Sequence, residues 1–224
     1  MPNQSPTWTN LPWTIRLFSS VIHLGFRSSC RSNGSINRRL INLFEFQAPT
    51  PSTEPINGIK TFDVHIDPSR NIWFRFYIPC HKGGNNKHGG NMPLIIYFHG
   101  GGFAWMASNA LGFDNLCRRF AKELTSVVIS MNYRLAPEQR GNLEHHVAVK
   151  ACEYEFQNLK VIGVIAIQPF FRGEERTESE KLGKEAYLIE YPIAFHAFYA
   201  IPMVPESGLC IKEIRDFMEK QCAK

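Results

Sequence analysis

The sequence predicts an α/β fold: a mostly parallel sheet layered between helices. Three observations carry this. Leu94–Phe98 and Val127–Met131 are continuous apolar runs of the kind found in strands buried on both faces. Between them, Phe113–Leu124 places Cys117, Phe120, Ala121 and Leu124 at helical spacing. A strand, a helix and a second strand in that order imply a right-handed crossover within one sheet.

The remaining elements follow in chain order. Residues 1–32 read as a peripheral arm, with Leu17, Val21 and Leu24 at the spacing of a short amphipathic helix that covers the domain edge. Asn33-Gly34-Ser35 marks a turn. Ile41–Phe46, Thr61–Ile66 and Ile72–Tyr77 are outer-strand candidates. The stretch from Lys82 to Asn91 is polar and Gly-rich, without core-forming residues. After Arg140, Gly141-Asn142 leads into a helical stretch over Leu143–Phe156. A third buried strand is expected at Val161–Ile167 and a fourth at Ala186–Glu190, separated by polar Arg172–Lys184. Leu209–Glu219 closes the chain as an amphipathic helix with Ile211, Ile214 and Phe217 inward. Residues 33–224 are then one domain.

Composition narrows the function classes. The 224 residues are 44% hydrophobic and 20% charged, ordinary values for a globular chain long enough to bury a core. The net charge of +5 is mild and contains no run of five or six basic residues, so nucleic acid is not an expected partner. No apolar stretch approaches the ~18 residues that cross a bilayer. The six cysteines form no C-x-x-C pair and have no matching His cluster, so no metal is expected. With no secretory leader, they read as reduced thiols of a cytoplasmic protein.

The chemistry-bearing residues begin at His99-Gly100-Gly101-Gly102-Phe103, directly after a buried strand and before a helix. Glycines there adopt φ > 0 and let backbone N–H groups reach a developing oxyanion. Three glycines alone would be a mere turn. The order strand, His, glycines, aromatic, helix is that of an HGGG-type oxyanion loop. His145 and His146, adjacent on a helix, do not converge on one metal ion.

These residues, with Arg38-Arg39-Leu40, Asp67–Arg75, Asn132–Glu138, Ile167–Phe171, Glu174–Glu178 and Glu190–Tyr199, give the chain its resemblance. From about Leu11 to Gln221 it resembles the plant carboxylesterases of the hormone-sensitive-lipase-like group, which also holds the gibberellin receptors. The resemblance implies an α/β-hydrolase-type three-layer sandwich and hydrolysis of a carboxylic ester through an acyl-serine, without cofactor or metal. It places Gly100, Gly101 and Gly102, with His99, in the oxyanion hole, and His196 of Tyr191–Tyr199 in the general-base position. A lone His among aromatics is more often simply packed.

The same resemblance exposes two gaps. The group carries its nucleophile in G-D-S-A-G-G-N, and no such elbow occurs here. Gly141-Asn142 looks like its tail, so the elbow strand and its serine are missing. The strand bearing the triad Asp is missing too, since Glu180 passes almost at once to Lys181–Glu185. Three functional expectations follow: an ester hydrolase-type protein with impaired catalysis, a non-catalytic receptor-like binder of a small molecule, or the product of an aberrant or decayed gene. Retention of His196 and Gly102 favours the esterase side, because the receptors replace the one and usually carry Ser for the other.

Overall fold

The computed structural model describes residues 12–80, 92–136, 161–168, 187–192 and 194–223. They fall into two compact units, residues 12–161 and 162–224.

In the larger unit, α1 (Trp13–Ser29) and α2 (Arg38–Ile41) precede β1 (Ile59–Asp67), β2 (Ile72–Pro79), β3 (Leu94–Phe98), α3 (Leu111–Glu123) and β4 (Val127–Asn132). The strands form one four-stranded sheet in the order β1-β2-β4-β3. β1 and β2 are a hairpin, and its turn explains the Asp67–Asn71 motif. The Asp67 carboxylate accepts from Ser69 Oγ at 2.6 Å and from the Arg70 amide at 3.2 Å. Asn71 then takes the left-handed conformation at φ 54°. Asn side chains tolerate that region better than most.

The sheet is mixed, which corrects the expectation of a mostly parallel one. β1 with β2 and β2 with β4 are antiparallel, and only β3 with β4 is parallel. The physical reason lies in connection length. A two-strand hairpin needs only the short Pro68–Arg70 turn, whereas a parallel pair needs a crossover such as α3. Among the described residues, one such crossover exists.

The strands expected at Val161–Ile167 and Ala186–Glu190 are not formed. Residues 161–168 and 187–190 have no regular secondary structure, and Val164 and Leu188 stand 60% and 79% exposed. Their β-branched composition favours extended backbone, but a strand exists only through its ladder partners, and none is present among the described residues. The strand expected at Ile41–Phe46 is also replaced. Asn37 Oδ1 accepts from the Leu40 amide and starts α2 instead. Competing local capping is what Asn does best.

One face of the sheet is covered by α3. Its Phe113, Leu116, Cys117, Phe120 and Ala121 are buried, as are Tyr77 and Val128 beneath them. Each large apolar side chain here contributes roughly 1.5–3 kcal/mol. Embedded in the same contact is an ionic cluster. Arg75, 2% exposed, forks onto Asp63 at 2.7 and 2.9 Å and reaches Asp114 at 3.1 Å. Asp114 also accepts from Tyr77 Oη at 2.9 Å and Arg118 Nε at 2.7 Å.

α1 forms as expected, but its exposed face is not the one expected. Leu17, Val21 and Leu24, read as the stripe covering the domain edge, are 56%, 40% and 61% exposed. The inner face uses small residues for close approach. A Cβ on Gly25 would sit 2.6 Å from the Phe44 ring, and Phe26 stacks on Trp105 at 5.0 Å.

In the smaller unit, α4 spans Pro205–Cys222 and buries Cys210, Ile211, Ile214 and Met218. Phe217, expected inward, is half-buried and lies against Gly163. No helix among the described residues is long and apolar enough to cross a membrane.

Candidate functional site

β3 delivers His99 to the start of a tight loop at the carboxyl end of the parallel pair. Gly101 has φ +113° and Gly102 φ +59°, and Phe103 and Met106 also have positive φ. A Cβ on Gly101 would lie 2.2 Å from the Trp105 carbonyl oxygen, so glycine is required there. The loop folds back on itself through the Ala104 and Trp105 amides, which donate to Gly101 O at 3.2 and 3.0 Å. That leaves the Gly100, Gly101 and Gly102 amides without an acceptor among the described residues. Unused N–H groups on a loop fixed by its own hydrogen bonds are what oxyanion stabilisation needs.

Three side chains hold the loop. His99 is fully buried and stacks on Tyr133 with centroids 4.3 Å apart. Burial lowers its pKa to about 4, against which the Gly100 contact works in the opposite direction. The ring is therefore neutral at pH 7. Its Nδ1 lies 2.8 Å from Gly100 O and must carry the proton to donate there. Nε2 is then a buried acceptor with no partner among the described residues. Tyr133 Oη donates to His99 O at 2.6 Å. Arg38 donates from Nη1 to Ala104 O and from Nη2 to Ala136 O at 2.6 Å.

A cavity of about 350 Å³ adjoins the loop at Met106 and Ala107 and is lined by Arg38, Glu45, Asn132, Tyr133 and Arg134 among others. None of His99–Gly102 lines it, so it is separate from the amide row. Burial pushes the Glu45 carboxyl up there, offset in part by an Ala107 backbone hydrogen bond and by Arg38.

His196, in the smaller unit, is exposed on a turn that precedes the short helix Phe198–Ala200. Gln168 clamps this turn on both sides. Its Oε1 accepts from the Ala197 amide at 2.7 Å and its Nε2 donates to Phe195 O at 3.4 Å. Ala197 takes φ 64°, and Phe198 is buried beside Tyr191 at 5.0 Å. His99–Gly102 and His196 thus belong to different units. Gly141 and Asn142, the expected remnant of the elbow, lie outside the described residues, as do His145, His146 and the helix expected at 143–156. Among the described residues, no group of His, Cys, Asp and Glu is arranged to hold a metal ion.

Three residues of these sites carry roles the sequence reading did not assign. Arg38 and Tyr133 stood only among the motif stretches, and Gln168 likewise. All three act on backbone carbonyls or amides, which leave no periodic trace in a sequence.

Comparison with known proteins adds an independent line. A family described as alpha/beta hydrolase fold matches residues 95–140, which include the His99–Gly102 loop. A gibberellin receptor of Arabidopsis thaliana is 32% identical over 220 residues, covering 77% of this chain and 63% of the receptor. Carboxylesterase 20 of the same plant is 29% identical over 191 residues, covering 66% of this chain and 58% of that protein. A solved hyperthermophilic esterase from the archaeon Pyrobaculum calidifontis is 28% identical with a TM-score of 0.31, over 45% of this chain and 30% of that one. The chain therefore spans less than two thirds of the length of these relatives. The match to the receptor also runs over more positions than 77% of this chain supplies, so the alignment carries gaps on this chain's side.

Proposed function

On the premise that the chain is a member of the α/β-hydrolase superfamily, related to plant carboxylesterases and gibberellin receptors, we propose that it is an ester hydrolase-type protein with impaired turnover. It retains the oxyanion-binding part of the site and binds the carbonyl or carboxylate end of a small ester-type ligand. The observation that carries this is the row of amides at Gly100, Gly101 and Gly102 that have no acceptor among the described residues, on a loop braced by Arg38, His99 and Tyr133.

The oxyanion part of the chemistry is local. A ligand oxygen presented to two of these amides gains hydrogen bonds from preorganised donors, charge-assisted where that oxygen is anionic. His99 does not compete for that oxygen, because it is neutral and its Nδ1 proton is spent on Gly100 O. His196 is the general-base residue that the resemblance implies. What is lacking is an attacking hydroxyl on an elbow: no G-x-S-x-G occurs in the sequence. In a serine hydrolase, loss of the nucleophile costs on the order of 10⁶ in kcat. A cytoplasmic location belongs to the same proposal and rests on the cysteine spacing, which reads as reduced thiols.

The receptor-like reading has one specific observation in its favour, the 32% identity to a protein named as a gibberellin receptor. Both readings need ligand binding at the loop, and they differ in turnover. The test pairs two measurements on the purified chain. In ¹H–¹⁵N spectra, titration with butyrate and with ethyl butyrate shifts the Gly100–Gly102 amides. With p-nitrophenyl butyrate, hydrolysis stays at the uncatalysed rate and a fluorophosphonate probe does not label the protein. Robust turnover lost in His196→Ala would overturn impairment, and silent glycine amides would overturn the oxyanion assignment.

A further inference from the structure

The outward face of α1 stands apart from everything the site uses. Trp13, Leu17, Val21 and Leu24 succeed one another at intervals of four, four and three residues, so they form one stripe. They are 72%, 56%, 40% and 61% exposed. The helix is already anchored by its opposite side, through Phe26 on Trp105 and Gly25 under Phe44. Arg16, His23 and Arg27 share a second stripe, about a quarter-turn around the helix from the first. None of the three is ion-paired among the described residues.

The basic excess, mild when only runs are sought, is in fact concentrated here. Residues 1–44 contain Arg16, Arg27, Arg31, Arg38 and Arg39 and no Asp or Glu at all; the first acidic residue is Glu45. Five positive charges and no negative one equal the whole chain's net +5, so everything after residue 44 is balanced; of the five, Arg38 is committed to the glycine loop and the other four are the ones that can face a surface.

We infer that α1 lies on an anionic lipid surface, with its apolar stripe in the headgroup region and its arginines against lipid phosphates and carboxylates. The combination is that of an interfacial helix: an apolar stripe with Trp at one end, flanked by basic residues and free of acidic ones. The shape argues for a membrane over a peptide partner. The stripe is a convex ridge about 16 Å long. A bilayer deforms around such a ridge, whereas a folded partner needs a groove cut to fit it. The cytoplasmic leaflet is the anionic one, and each basic residue near it strengthens binding severalfold. α1 is too short and too polar to span the bilayer, so it binds in the plane.

The test is vesicle co-flotation of the full chain, with phosphatidylcholine alone and with a phosphatidylserine-rich mixture. The protein is expected to float at least tenfold more with the second, and to be released when salt rises from about 0.1 M to about 0.5 M. Leu17→Glu with Leu24→Glu lowers flotation at least tenfold, and Arg16→Glu with Arg27→Glu severalfold. Leu188→Glu, at another exposed apolar residue, leaves it unchanged. Near-ultraviolet circular dichroism checks that each variant is folded, and the salt dependence of the unmodified chain reads the same property without any variant. Equal flotation on both vesicle types, or equal loss from Leu188→Glu, overturns the inference. So does capture of a protein partner that the α1 variants abolish while vesicle binding is untouched. None of these outcomes depends on the glycine loop, so the inference and the proposed function fail separately.

Discussion

Replacing Asp114 by alanine tests the ionic cluster between sheet and helix. Asp114 is 3% exposed and receives three donors, Arg75 Nη1 at 3.1 Å, Tyr77 Oη at 2.9 Å and Arg118 Nε at 2.7 Å. With Asp63, the two carboxylates balance Arg75 and Arg118, so the cluster is neutral as built. Without Asp114, Arg75 keeps its fork on Asp63 but sits at 2% exposure with one carboxylate instead of two. Tyr77, fully buried, loses its acceptor. Arg118, at 18% exposure, turns to water at little cost. Breaking a buried pair while leaving its partner costs about 3–5 kcal/mol. For a chain of this size, Tm then falls by roughly 6–20 °C. The assay is thermal unfolding by near-ultraviolet circular dichroism, with Trp73 as a local reporter 6.0 Å from Arg75. A double variant, Arg75→Met with Asp114→Leu, removes the stranded charge and recovers most of the loss, because Asp63 at 23% exposure reaches solvent. A cost below about 1 kcal/mol for Asp114→Ala, or a double variant no better than the single, would refute this account of the cluster.

Three further outcomes are expected. His99 has a lowered folded-state pKa, so its contribution to stability is present above pH 6.5 and is lost as pH falls toward about 4. The difference between the unmodified chain and His99→Phe across that window reaches up to ~3 kcal/mol, measured by urea unfolding at each pH. Gly101→Ala places a methyl group 2.2 Å from a carbonyl oxygen at φ +113°. It lowers stability by about 1–3 kcal/mol and removes the ligand-induced amide shifts at Gly100 and Gly102. Ile96 is 51% exposed on β3, the end strand of the sheet among the described residues, and such an edge is expected to favour pairing between chains. Ile96→Lys shifts the chain toward monomer in size-exclusion chromatography with less than about 0.5 kcal/mol lost.

The parts of the fold legible in the sequence are those where composition and partner coincide. Leu94–Phe98 and Val127–Met131, both read as buried strands, form and pair with each other, but Leu94–Phe98 ends the sheet with Leu94 and Ile96 exposed, so only its strand character was legible; α3 reads from its own periodicity. Val161–Ile167 has equal β composition, yet composition does not supply a neighbour, and the segment stays irregular. Leu17, Val21 and Leu24 show why periodicity is one-sided evidence: it reports a stripe but not whether the stripe faces core or solvent. Here the core-facing side is written in Gly25 and Ser29, residues whose smallness carries no hydrophobic signal. The glycine loop was legible because its conformation demands glycine. Its braces were not, because Arg38, Tyr133 and Gln168 bind main-chain atoms, which every residue possesses.

The ionic cluster has a consequence for synthesis as well as for stability. All its members, Asp63, Arg75, Tyr77, Asp114 and Arg118, lie in the first 118 residues, and β4, which completes their sheet, ends at Asn132. Domains form from the N-terminal side as the chain leaves the ribosome at roughly 5–20 residues per second. The charges of this unit can therefore be neutralised and dried before the residues around His196 have been translated. The nascent chain then meets the chaperones with its most expensive buried groups already satisfied. What it still displays at that moment is β3, the end strand of the sheet among the described residues.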